Sequence, residues 1–322
     1  MLQLSVKGCL CLWGWAVWSS LGWAQAFPNR PIQLIVAAAP GGPSDVFARQ
    51  LAIHLGRELG QPVVIDNRPG AVGTLAAEAL LRMPPDGHAL MMTWPGNATA
   101  KALMPRVSFD LTRDFVHITQ LMAGANVLVA HPSHGFRSLD DVLDHARKHP
   151  DALTYASSGN GGSGHLAMEL LKQRAGVAMV HVPYRGGAAA LNDLIQGRVD
   201  LMFINQDAVI PHLQTGRLVA LAISSGQRNP LFPKVPTVAE SGFVGFEAVS
   251  WAGLSAPKGT PASVVERLRF AATRALTRPM RARQESMGAQ VIGSSPEQFR
   301  DFVQAEVAKW TQLIHHAHIK TD

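Results

Sequence analysis

Cysteine occurs only at positions 9 and 11 of the 322-residue chain. Both lie in an N-terminal stretch that reads as a leader, so the rest has no thiol for a disulfide, a nucleophile or a metal site. Charge is sparse as well. Asp, Glu, Lys and Arg make up 16% of the residues, and the net excess of +6 is scattered. Beyond the leader no basic run would track a phosphate backbone, which argues against nucleic acid. No apolar stretch reaches the roughly 20 residues of a membrane span. Complete catalytic signatures are missing too. No Walker lysine follows a glycine-rich loop, and Gly162-Ser163-Gly164 runs into His165 where G-x-S-x-G needs a second glycine. His315, His316 and His318 cluster at the end of the last helix, where side chains are solvated, and no zinc or EF-hand spacing is present. No metal or cofactor is expected.

What is present begins with that leader. Lys7 precedes an apolar run from Gly8 to Trp18, and Ala24-Gln25-Ala26 has the small-x-small form of a cleavage site. Residues 1–26 therefore read as a signal peptide. A lipoprotein site at Cys9 is disfavoured because Lys7 sits just before it with no apolar region between. The mature chain is expected free in the periplasm, one basic charge poorer, and long enough for two domains.

Short apolar runs alternate with helical patterns, the signature of parallel α/β architecture. Ile32 to Ala37 is a buried strand; Phe47, Leu51, Leu55 and Leu59 then recur on one helix face until Gly60 and Pro62 stop it. Further strands are expected at 63–65, 88–92, 154–156, 179–182, 201–204 and 218–223. Asn126 to Ala130 restarts the alternation. Ser138 with Asp141, and Ser295 with Pro296 and Gln298, announce helix starts.

Two glycine-rich loops each join a strand to a helix: Pro40 to Asp45, and Ser157 to His165. Glycine lets backbone approach a ligand, and the following helix aims unpaired N–H groups and its positive dipole end at it. Facing each other across a cleft, two such loops make an anion site without a charged side chain. Gly159, Gly161 and Gly164 also fit G-x-G-x-x-G, but the strand 179–182 offers no acid for a ribose, so a dinucleotide is not expected. Ser163 with His165 leaves an exported serine hydrolase as an alternative.

The blocks Pro40-Gly41-Gly42 with Asp45, Asn67-Arg68-Pro69-Gly70-Ala71, Pro85-Asp86-Gly87, Tyr155 to Gly159, His181 to Ala188, Val235 to Glu240 and Pro257 to Pro261 run through the whole mature chain. With them the sequence resembles the TctC-like, or Bug, family of extracytoplasmic solute receptors, the binding components of tripartite tricarboxylate transporters. The resemblance implies an α/β periplasmic binding protein fold of type II, with two domains closing on ligand in a cleft. Residues 27–125 with 250–322 would form domain 1, and 126–249 domain 2. It further implies a carboxylate held by backbone amides, with Gly41, Gly42 and Asp45 on one wall and Ser157, Gly159, Gly162 and Ser163 on the other. Asn205 and Asp207 would meet the ligand's distal end, and Trp94 would shape selectivity. Asp207 has a second reading as a cap of the helix that follows. Implied partners are a small carboxylate solute and the membrane subunits of a TctA/TctB-type transporter, with the receptor itself a monomer; a sensor feeding a membrane signalling partner uses the same chemistry. The chain departs from its relatives at Ala38-Ala39, Val72 and Pro43, and Pro43 removes one amide donor from the first loop.

Overall fold

The computed structural model describes residues 27–320, so the leader expected over residues 1–26 lies outside the described residues. The first half runs β1 (Ile32–Val36), α1 (Pro43–Leu59), β2 (Val63–Asn67), α2 (Thr74–Leu81), β3 (Ala89–Thr93) and α3 (Pro95–Leu103). α1 forms because Phe47, Ala48, Leu51, Ala52, Leu55 and Leu59 share one face, and all six are buried. It stops at Gly60, whose φ of 73° suits glycine and turns its N–H back onto the Gly56 carbonyl.

A 16-residue strand, β4 (Phe115–Ala130), then links the halves. The sequence pattern shows only its last five residues as a strand, because His117, Thr119 and Gln120 interrupt the apolar run. These polar groups are nevertheless buried and bonded: His117 Nδ1 lies 3.0 Å from Ser255 Oγ, Thr119 Oγ1 donates to the Ser294 carbonyl, and Ser294 Oγ accepts the Gln120 N–H. Satisfied in this way, they cost little to bury.

The second half contains α4 (Leu139–Lys148), β5 (Thr154–Ser157), α5 (Ser163–Ala175), β6 (Val180–Pro183), α6 (Gly187–Ile195), β7 (Leu201–Asn205), α7 (Gln206–Gln214) and β8 (Val219–Ile223). The chain returns along β9 (Val249–Pro257) to α8 (Ala262–Ala275), α9 (Arg278–Ser286), β10 (Gln290–Val291) and α10 (Pro296–His316). Strand order is β2-β1-β3-β9-β4-β7-β5-β6, with β8 and β10 also on β4. β1 pairs in parallel with β2 and β3, and β5 with β6 and β7, as βαβ connections require. β4 and β9 are antiparallel, and β4 changes partners between Ala125, opposite Val249 of β9, and Asn126, opposite Asn205 of β7.

α10 packs on both halves. Its Phe299 and Val303 join the core around Trp251 and Phe115, whereas Trp310, Leu313 and Ile314 join the core of Tyr155, Leu166 and Phe203. Thus part of a segment grouped by sequence with the first half lies on the second. Among the described residues no helix is long and apolar enough to cross a membrane.

Candidate functional site

A cavity of about 390 Å³ opens where β4 and β9 cross between the halves. The first half contributes Gly41, Ser44, Phe47 and Trp94; the crossing strands give Met122, Ala125, Ser250 and Trp251. Asn205, Gln206 and Asp207 enter from the end of β7 and the start of α7, and Arg283 and Met287 from α9.

On the first wall, the loop before α1 is fixed by a buried carboxylate. Asp45 accepts the Gly41 N–H at 2.9 Å, Arg49 Nε at 2.8 Å and Asn67 Nδ2 at 2.8 Å. The bond from Arg49, then those from Gly41 and Asn67, hold its pKa down at about 2. The Asp45 carboxylate is therefore the loop's internal anchor. Gly42 N–H is directed to the Ala39 carbonyl at 3.4 Å, and Pro43 has none to give. In this loop the N–H groups for which the described residues offer no acceptor are those of Ser44 and Asp45, in the first turn of α1. Ser44 lines the cavity beside Gly41. Asp45 is buried and does not line the cavity, so of these two residues Ser44 is the one at the wall.

The second glycine loop is held from beneath by aromatic rings. His165 stacks on His181 with centroids 4.0 Å apart, and His181 stacks on Tyr155 at 4.8 Å. Gly161 N–H donates to His165 Nδ1 at 3.1 Å, and Ser157 Oγ lies 2.7 Å from His181 Nε2. Burial lowers the pKa of His165 to about 3 and of His181 to about 4, so both rings are neutral near pH 7. The Tyr155 hydroxyl donates to Glu169, which also takes Lys172 Nζ, and burial followed by the Glu169 charge raises the tyrosine pKa.

Of the second-loop residues singled out by sequence, Ser157, Gly159 and Gly162 do not line the cavity. Gly159 N–H is used by Ser157 Oγ, and Gly162 N–H by the Gly159 carbonyl. Ser163 Oγ points to Asn126 Oδ1 at 3.4 Å, one residue along β4 from cavity-lining Ala125. A hydrolase would need Ser163 to engage His165, whose Nδ1 is instead occupied by a backbone amide.

Asn205 and Asp207 do line the cavity, as does Trp94, whose Nε1 is buried without a partner. Asn205 is the N-cap of α7 without a side-chain capping bond, and Asp207 stands in the first turn. Arg283, Met287 and Met122 carry no local signal in the sequence. Met122 lies on β4 itself, while Arg283 and Met287 reach the cavity because α9 packs on β10, which pairs with β4.

The sequence profile of TctC, the tripartite tricarboxylate transporter family receptor, matches residues 47–319. The chain belongs to the TctC family. A TctC relative from Pseudomonas sp. (strain P51), encoded in the tcbD-tcbE intergenic region, is 38% identical over 292 residues, 90% of this chain and 87% of its own length. Among solved structures, Rpa4515 of R. palustris with adipate is 34% identical, with a TM-score of 0.79 over 91% of this chain and 99% of that one. MatC from Rhodopseudomonas palustris with bound malate is 33% identical, with a TM-score of 0.77 over 89% and 100%. As a member of that family, the chain is a solute-binding receptor of periplasmic-binding-protein fold and not an enzyme.

Proposed function

We propose that this receptor captures a small organic carboxylate in the periplasm and delivers it to the membrane subunits of a tripartite tricarboxylate-type transporter. The observation that carries the reading is the N-terminus of α1 at the cavity, where Ser44 lines the wall and the Ser44 and Asp45 N–H groups have no acceptor among the described residues. On this reading a carboxylate there takes charge-assisted hydrogen bonds from the first turn and the favourable end of the helix dipole, worth about 0.3–2 kcal/mol for the dipole itself. Because Asp45 is held by Arg49, Gly41 and Asn67, its own charge is largely offset before a ligand arrives.

Support for the ligand class comes from the adipate and malate in two relatives of this fold. On this reading residues 27–125 with 250–322 and residues 126–249 act as two domains that close about the partner exchange in β4. Gly41 and Ser44 form the first wall, and Asn205 and Asp207 the second. The periplasmic address rests on the leader at 1–26. Purified mature protein beginning near Phe27 is the expected result of intact-mass measurement after export.

Calorimetric titration with adipate, malate, succinate and citrate tests the reading. Binding of at least one is expected, with about 2.7 kcal/mol of added stability at a hundredfold excess over Kd. Absence of heat and of thermal shift with every carboxylate would remove it.

A further inference from the structure

The cavity wall has two properties that the family relationship does not dictate. Its surface is mostly apolar, built from Val46, Trp94, Met122 and Met287 over the more deeply buried Phe47 and Trp251. Among the described residues that line it, the charged ones are Arg283 and Asp207. Both are exposed, and neither makes an ion pair with another described residue.

Resting on the carboxylate reading above, we propose that Arg283 is a specificity-determining residue that receives a second carboxylate, and that the ligand is a dicarboxylate with an apolar body. The first carboxylate takes the α1 amides. The second finds no welcome at the N-terminus of α7, because Asp207 already places a negative charge in that first turn. The guanidinium of Arg283 on α9 is the opposing cation, and its planar fork suits a carboxylate. Between the two ends, thioether and aromatic side chains favour methylene or ring carbons over a densely hydroxylated body. A polyhydroxylated or compact tricarboxylate matches this wall poorly.

Titration calorimetry with adipate, hexanoate and citrate on the wild-type receptor and Arg283→Gln tests the assignment. Adipate and hexanoate share a six-carbon chain and differ in one carboxylate. The wild-type protein is expected to prefer adipate over hexanoate by at least tenfold and over citrate by a similar factor. In Arg283→Gln the adipate preference over hexanoate collapses, hexanoate affinity is retained, and Arg283→Lys recovers part of the preference. Retained hexanoate binding also shows that the variant folds and keeps its cavity. Unchanged adipate affinity in Arg283→Gln, or equal loss of both ligands, would overturn the role of Arg283 while leaving a carboxylate receptor intact. Citrate binding tighter than adipate would overturn the apolar-body assignment. Failure of every carboxylate to bind wild-type protein would remove the receptor reading and this one with it.

Discussion

The Asp45 side chain braces the motif in which it stands. Its carboxylate takes Gly41 N–H, Arg49 and Asn67 at once, and so fixes the turn that presents the α1 amides. Asp45→Ala removes the shared acceptor of Gly41 N–H, Arg49 Nε and one Asn67 Nδ2 hydrogen from the turn. The expected cost is about 1–3 kcal/mol by denaturant unfolding, with weaker carboxylate binding. Gly164 makes the same point for the second loop. A Cβ there would stand 2.1 Å from the Phe203 carbonyl oxygen, so glycine is required for α5 to lie against β7. Gly164→Ala is expected to destabilise the protein by about 1–3 kcal/mol. An unaltered melting temperature would show that α5 does not press on β7 as described.

At the scale of elements, the histidine stack and α10 matter most. His165, His181 and His117 are all lowered by burial, to about 3, 4 and 4 respectively. In the unfolded chain each titrates near 6.5, so on acidification the unfolded state binds protons that the folded state refuses. Their contribution is complete above about pH 6.5 and is lost as pH falls toward 4, by up to about 1.4 kcal/mol per pH unit for each ring. The carboxylate of Asp45 acts in the same direction over a lower window: its contribution holds above 3.8 and goes only as pH drops through about 2. The unfolding free energy measured from pH 7 to 4 should therefore fall steadily. His165→Gln, which keeps an acceptor for Gly161, should flatten the slope, and an identical slope would argue against protonation of this ring.

Helix α10 is fastened by Glu306, a buried carboxylate that accepts Trp251 Nε1 at 3.0 Å and Trp310 Nε1 at 2.9 Å and pairs with Lys309. Glu306→Ala strands two buried indole N–H groups. A loss of about 2–5 kcal/mol is expected from chemical unfolding, and less than 1 kcal/mol would count against this account.

For the whole molecule, α10 lies across both halves, and Phe299 presses on the crossing strand so closely that a Cβ at Gly253 would be 2.1 Å from its ring. A helix shared by two cores couples them. One cooperative transition in scanning calorimetry is the expected outcome for the unliganded protein, and two resolved transitions would sink the coupling.

Much of this architecture was readable beforehand, and unevenly so. The helix from Pro43 to Leu59 and the capping box at Ser138 and Asp141 follow from local rules, since periodicity and capping depend on near neighbours. The helices at Pro95–Leu103, Gln206–Gln214 and Arg278–Ser286 escaped. The first starts Pro-Gly-Asn, the second contains Pro211 and the third is highly polar, so tertiary contacts stabilise what propensity does not. Arg283 was illegible for that reason, as it acquires meaning only once β10 docks on β4.

The sequence by itself determined the α/β alternation and the family, because each is written in short-range order or motif succession. That Asp45 and the paired histidines brace the loops, and that Arg283 lines the cavity with residues of the crossing strands, were decided by the tertiary structure. Those properties depend on groups brought together from distant parts of the chain, and on donors already consumed by neighbours, which no local pattern records.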